Sequence, residues 1–154
     1  MNGVHNILAE PLFALTWVGF WIAASIIYRR SQGKPIYPRK PKDALYFESW
    51  VSGHSRRNIF TMMGGARNCL IVAVTPETFF VCPNFPFNLF FLPEVYGLEY
   101  EVPRKNIYSV KSHDGFFTKS VRIELESQPG ERCTIQLYLK HRDKFLQALA
   151  PHAL

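Results

Sequence analysis

Hydrophobic and polar positions divide the chain into three regimes. The first is an uncharged run of eighteen residues, 11–28, PLFALTWVGFWIAASIIY. As an α-helix it rises about 27 Å, close to the roughly 30 Å of a bilayer core. Ile7 and Leu8 extend it toward the interface. Glu10 and Pro11 suit a first helical turn, where an acid complements the dipole and the missing N–H costs little. A cleavable signal peptide would carry Lys or Arg before the run and a small-x-small site after it, and neither is present. Residues 1–28 are therefore expected to form a short tail and a retained transmembrane helix. Gly19 and Ala23, four apart, give that helix a smooth face for close helix packing. Trp17 and Trp21 share a side and lie deep for interfacial anchors, so they are expected either to pack on another helix or to contact lipid.

The second regime, residues 29–43, is polar. Pro35, Pro38 and Pro41 recur every third residue. That period matches polyproline II, which predicts a semi-rigid spacer able to hold a domain roughly 30 Å from a bilayer.

The third regime, residues 44–154, alternates as strands do. LYFESWVSG is aromatic-rich and ends at Gly53. CLIVAVT and TFFVC flank Thr75-Pro76-Glu77-Thr78 and predict a hairpin. IYSVKSH and SVRIELES flank a second turn region, DGFFTK. In SVRIELES, Val121, Ile123 and Leu125 alternate with Arg122, Glu124 and Glu126, the mark of a strand with one wet face. Gln128-Pro129-Gly130-Glu131 is a further turn before CTIQLYL. KHRDKFLQALA then changes period: Phe145, Leu146 and Leu149 make one stripe of a short amphipathic helix. Only residues 84–97, NFPFNLFFLPEVYG, fit no element. Five aromatic rings make this stretch too apolar for a solvated loop, and its prolines make it a poor central strand. It is expected to be an irregular excursion. Phe85, Phe87, Leu89, Phe90 and Phe91 either fold back as core or form a surface for a partner or the bilayer.

Charge changes this picture by its location. The 154-residue chain carries 18 Lys and Arg, 12 Asp and Glu, and a net charge of +6. Arg29, Arg30, Lys34, Arg39, Lys40 and Lys42 all lie between residues 29 and 42, with no acid among them, so the remainder is neutral. A nucleic-acid-binding domain would carry its own basic face, so no nucleic acid is expected. The six cations sit beside the apolar run and predict a cytoplasmic C-terminal side, with the N-terminus outside. Beside an anionic leaflet each could gain about 1 kcal/mol. Cys69, Cys82 and Cys133 form no C-x-x-C pair and no disulfide framework.

Several antiparallel strands followed by one helix need that helix to cover an open end or face. The hairpin CLIVAVTPETFFVCP, then EVPRKNIYSVK, the pair SVRIELES/CTIQLYL and the closing KFLQAL together resemble the pleckstrin-homology (PH) superfold, especially GRAM-like and bacterial PH-like domains. The resemblance covers residues 45–149. It implies a mainly β, α+β chain with one N-terminal transmembrane helix and a PH-like antiparallel barrel closed by a C-terminal helix; a β-sandwich or split barrel also fits the strand pattern. In that family, phosphoinositide binders place cations around the first β-hairpin loop. The matching positions are His54, Arg56 and Arg57, and more distantly Arg67. No cation follows from 69 to 75, and many relatives bind proteins or have no lipid ligand. The resemblance also implies a bacterial inner membrane.

No catalytic constellation emerges. Gly64-Gly65 lacks the Lys-Ser/Thr of a P-loop, and there is no G-x-G-x-x-G or G-x-S-x-G. The five histidines show no ligand spacing. His113-Asp114 and the pair Glu99/Glu101 read as surface groups. The expectation is a non-enzymatic module with no cofactor, metal or small-molecule substrate. It would bind a membrane-protein partner or the anionic membrane surface. The alternative is an accessory or assembly subunit of a larger membrane complex.

Overall fold

The computed structural model describes residues 3–55, 66–90, 98–114 and 119–150, with the backbone alone at 3–10 and at Phe90. The chain divides into two compact units, Met1–Ile36 and Tyr37–Leu154.

The first unit is one helix, α1, Gly3–Ser31. Within it, Pro11–Ser31 is long and apolar enough to cross a membrane. At 1.5 Å per residue those 21 residues span about 32 Å. The helix begins earlier than the sequence implies, so Pro11 lies inside it rather than at its first turn. One proline removes one backbone bond, and the long helix on both sides tolerates this. The helix also runs three residues past Tyr28, into the expected spacer. Arg29 and Arg30 favour its last turn, where cations complement the dipole. Gly33 stops it: at φ 68° it takes the left-handed position that glycine adopts without strain, and its N–H bonds the Arg30 carbonyl at 3.0 Å.

The second unit is mainly β. Its strands are β1 (Tyr46–Ser55), β2 (Ala66–Val74), β3 (Thr78–Pro83), β4 (Tyr100–Pro103), β5 (Ile107–Asp114), β6 (Lys119–Gln128) and β7 (Glu131–Tyr138). A four-residue helix, α2 (Phe87–Phe90), follows β3, and a 3-10 turn, Arg104–Asn106, joins β4 to β5. Helix α3 (Arg142–Leu149) comes last. The three expected hairpins are present as β2/β3, β5/β6 and β6/β7. All seven strands belong to one antiparallel sheet, ordered β4-β3-β2-β1-β7-β6-β5.

β1 is the hinge of this order. Its first part pairs with β2, and its last four residues pair with β7. Gly53 sits at the crossing, opposite both Ala66 and Leu137. A Cβ there would lie 2.8 Å from Leu137 Cδ2 and 3.0 Å from the Gln136 carbonyl, so the strands approach this closely only because residue 53 is glycine. The inner faces of both halves meet in one core. Leu70, Val72, Val74, Phe79 and Val81 pack with Val121, Ile123, Leu125, Ile135 and Leu137. β4 packs against β6, yet no ladder among the described residues joins the edges β4 and β5. The sheet is strongly bent and remains open.

Helix α3 closes over this core through Phe145 and Leu149, both buried. The Phe145 ring meets Tyr46 and Phe79 edge to face at 5.2 and 6.1 Å. Both ends of α3 are held by side chains from elsewhere. Buried Glu48, on β1, accepts the backbone N–H groups of Lys140 (2.9 Å) and His141 (3.2 Å) just before the helix, together with the Tyr46 hydroxyl. Buried Arg104 donates to the Ala148 and Leu149 carbonyls at 2.7 and 3.0 Å. An acid at the N-terminal end and a cation at the C-terminal end both complement the helix dipole.

Candidate functional site

The candidate residues fall into three groups. The first lies on α1. Trp17, Gly19, Trp21 and Ala23 are all exposed. At 100° per residue the tryptophans lie within 40° of each other, while Gly19 and Ala23 lie on nearly the opposite side. One partner helix cannot engage both pairs. A Cβ at Gly19 would meet nothing within 4 Å, so its smooth face is unobstructed.

The second group is the basic segment. Arg29 is drawn into the helix end, donating from Nη2 to the Pro35 carbonyl at 3.1 Å, while Lys34 N–H bonds the Arg29 carbonyl at 2.9 Å. Arg29 thus serves the turn out of the helix rather than standing as a free surface cation. Arg30, Arg39 and Lys42 are exposed. The expected free spacer is shortened from both sides. Helix takes its first residues, and from Tyr37 onward the chain lies on the β unit. The Tyr37 ring lies tilted against Phe85, with centroids 4.6 Å apart, and Lys40 Nζ lies 5.8 Å from the centre of the Phe47 ring. A proline period sets backbone stiffness but says nothing of what aromatic neighbours will capture.

The third group is the aromatic stretch and the first hairpin. Asn84 N–H bonds the Cys69 carbonyl at 2.6 Å and fixes where the excursion leaves β3. In the turn that follows, Leu89 is buried and Phe87 packs against the core. These two fold back and are withdrawn from any partner surface, because each is worth about 1.5–3 kcal/mol when buried. Phe85 remains 37% exposed beside Tyr37. Phe91 and the Phe90 side chain lie outside the described residues, as do Arg56, Arg57 and Gly64-Gly65. His54 lies near the end of β1, its ring 6.2 Å from that of Tyr138, and Arg67 is exposed on β2.

Sequence reasoning missed Trp50. Strict alternation would put it on the same face as Tyr46, pointing inward. Instead β1 carries a bulge between Ser49 and Val51, and Trp50 is 50% exposed with φ 64°. Left-handed backbone costs a residue with a Cβ about 1–2 kcal/mol. A second irregularity faces it, where Asn68, at φ 49°, donates its backbone N–H to Ser52 Oγ at 2.9 Å. Glu48 and Val51, three residues apart, are both buried, one place out of phase with strict alternation.

The described residues hold no group of three or more His, Cys, Asp or Glu placed to bind a metal ion. Cys69, Cys82 and Cys133 are buried and form no disulfide among the described residues, and burial pushes the Cys69 thiol pKa up. No protein-family model and no curated protein matches this sequence.

Proposed function

We propose that this chain is a single-pass, membrane-anchored PH-like module whose β unit stands on the cytoplasmic face and binds a protein partner or the anionic membrane surface. The observation that carries this reading is the pairing of two units of opposite character. One is an apolar helix of spanning length whose exposed side chains from Leu12 to Ile27 are nearly all apolar. The other is a bent antiparallel sheet with its own core. The order β4-β3-β2-β1-β7-β6-β5 with a terminal helix over the core supports the PH-like reading, in which α3 plugs one end of a barrel-like sheet. The cations after the span support a cytoplasmic β unit.

Orientation is tested with Lys105→Cys, an exposed position in the β4–β5 turn. The three native cysteines are buried and stay silent. A membrane-impermeant maleimide should label this cysteine in sealed inside-out vesicles and not in right-side-out ones. The reverse pattern would overturn the orientation. The second reading, an accessory subunit, is favoured by the unobstructed Gly19/Ala23 face. Copurification of stoichiometric membrane partners in mild detergent would support it, and loss of those partners in Gly19→Leu would assign the face.

A further inference from the structure

The chain between α1 and β1 is caught by side chains at two points. On the helix side, Arg29 donates from Nε and Nη2 to the Pro35 carbonyl at 3.4 and 3.1 Å. On the sheet side, Tyr37 lies against Phe85, and Lys40 Nζ stands over the Phe47 ring. Phe47 is opposite Ala73 in the register of β1 and β2. It faces outward, because Tyr46 beside it belongs to the core. Only Ile36 lies between Pro35 and Tyr37.

Residues 37–42 belong to the β unit without joining its sheet. Pro38 and Pro41 are half-buried, whereas Arg39, Lys40 and Lys42 are exposed. A spacing of three puts the two prolines on one edge of a polyproline II segment, so the covered edge is the proline edge. Neither proline has an N–H to give to a ladder. Sheet bonding resumes at Leu45, whose N–H reaches the Val74 carbonyl at 2.8 Å. The segment can therefore lift as far as Ala44 while every strand pairing stays in place. Its ring contact is half wet, with Tyr37 59% and Phe85 37% exposed. Segments with few buried contacts are the ones that open locally while the core stays folded.

We propose that residues 37–42 are a releasable strap, docked in cis on the Phe85 and Phe47 rings, that sets the length of the tether between α1 and the β unit. Docked, the strap leaves one residue, Ile36, between the two held points. Lifted, it adds the eight residues 37–44, about 25 Å of chain at polyproline pitch. The two arrangements are two states of one chain, and a partner that needs the long tether draws the strap off by binding the lifted state better. That the tether ends at a bilayer rests on the membrane-anchored reading above, whereas the strap rests on contacts within the chain.

The test uses the full chain in a neutral maltoside detergent, with nitroxide labels on Arg39→Cys and Lys105→Cys, two exposed positions of the β unit. The three native cysteines are buried. Pulsed electron spin resonance on this otherwise native chain should show a dominant distance for the docked strap and a minor second distance for the lifted one. Tyr37→Ala combined with Lys40→Ala removes both ring contacts and should raise the ratio of lifted to docked at least about tenfold. Lys42→Ala should leave the ratio unchanged. Slow amide exchange in β2 and β7 should persist in every variant. The proposal is overturned if the otherwise native chain lacks either distance, or if the double substitution leaves the ratio unchanged. Loss of slow exchange in β2 and β7 on that substitution would also overturn it, because the segment would then be part of the core. Both labels lie in the β unit, so failure here leaves the anchoring of α1 untouched.

Discussion

Burying Arg104 takes a permanent charge out of water, and the surrounding geometry explains why the fold accepts it. Nη2 reaches the last carbonyls of α3, while Nη1 reaches the carbonyls of Thr75 and Pro76 in the β2–β3 turn at 3.3 and 3.5 Å. One planar fork thus ties a hairpin turn to a helix terminus. Desolvation lowers its pKa, yet arginine remains charged at any working pH. Arg104→Ala is expected to cost about 2–3 kcal/mol in urea unfolding, because buried carbonyls lose a charged donor. Arg104→Lys should recover only part of that, since an ammonium cannot span both elements. Full recovery with lysine would show that charge alone suffices. At the other end of α3, burial pushes the Tyr46 pKa upward, reinforced by the Glu48 carboxylate that accepts its hydroxyl. The folded chain therefore keeps this proton above the value near pH 10 at which an unfolded chain loses it. Its contribution is complete below about pH 10 and is lost as pH rises beyond that. Stability measured from about pH 8 to 11 should fall less steeply in Tyr46→Phe than in wild type.

Among the elements, the hairpins were the most legible. Val121, Ile123 and Leu125 announce their face by alternation, and turn residues mark the ends of β2/β3 and β6/β7. The position of α3 was legible from a change of period at Phe145. Its clamping was not, because Glu48 and Arg104 lie about 93 and 44 residues from their respective partners in sequence. The exposure of Trp50 was not legible for a similar reason: a bulge is set by the partner strand's register. The apolar span was visible in composition alone, whereas its start and end depended on how a helix tolerates Pro11 and stops at Gly33. β1 makes the sharpest prediction at this scale. Gly53→Ala forces a methyl group against Leu137 and a backbone carbonyl, so a loss of about 1–3 kcal/mol is expected in denaturant unfolding. A neutral substitution would mean that β1 and β7 can separate without cost.

For the whole molecule, the candidate surfaces were legible only as residue types. Six cations near a span and an aromatic stretch were evident, but the structure sorts them differently. Arg29 goes to the helix end, Leu89 and Phe87 go inward, and Tyr37 captures Phe85. The second unit begins at Tyr37, so a fragment of residues 37–154 should be more stable than one of 44–154. The difference expected from the aromatic contact is about 1 kcal/mol, read from urea midpoints of the two fragments. Equal midpoints would mean that residues 37–43 do not hold to the sheet in solution.

The central claim is that α1 anchors a folded β unit to a bilayer. Its most direct test is partition of the full chain between membrane pellet and supernatant after washing in about 4 M urea, beside a chain lacking residues 1–31. The account predicts that the full chain stays in the pellet until detergent is added and that the shortened chain is soluble. Release of the full chain by urea alone would contradict it.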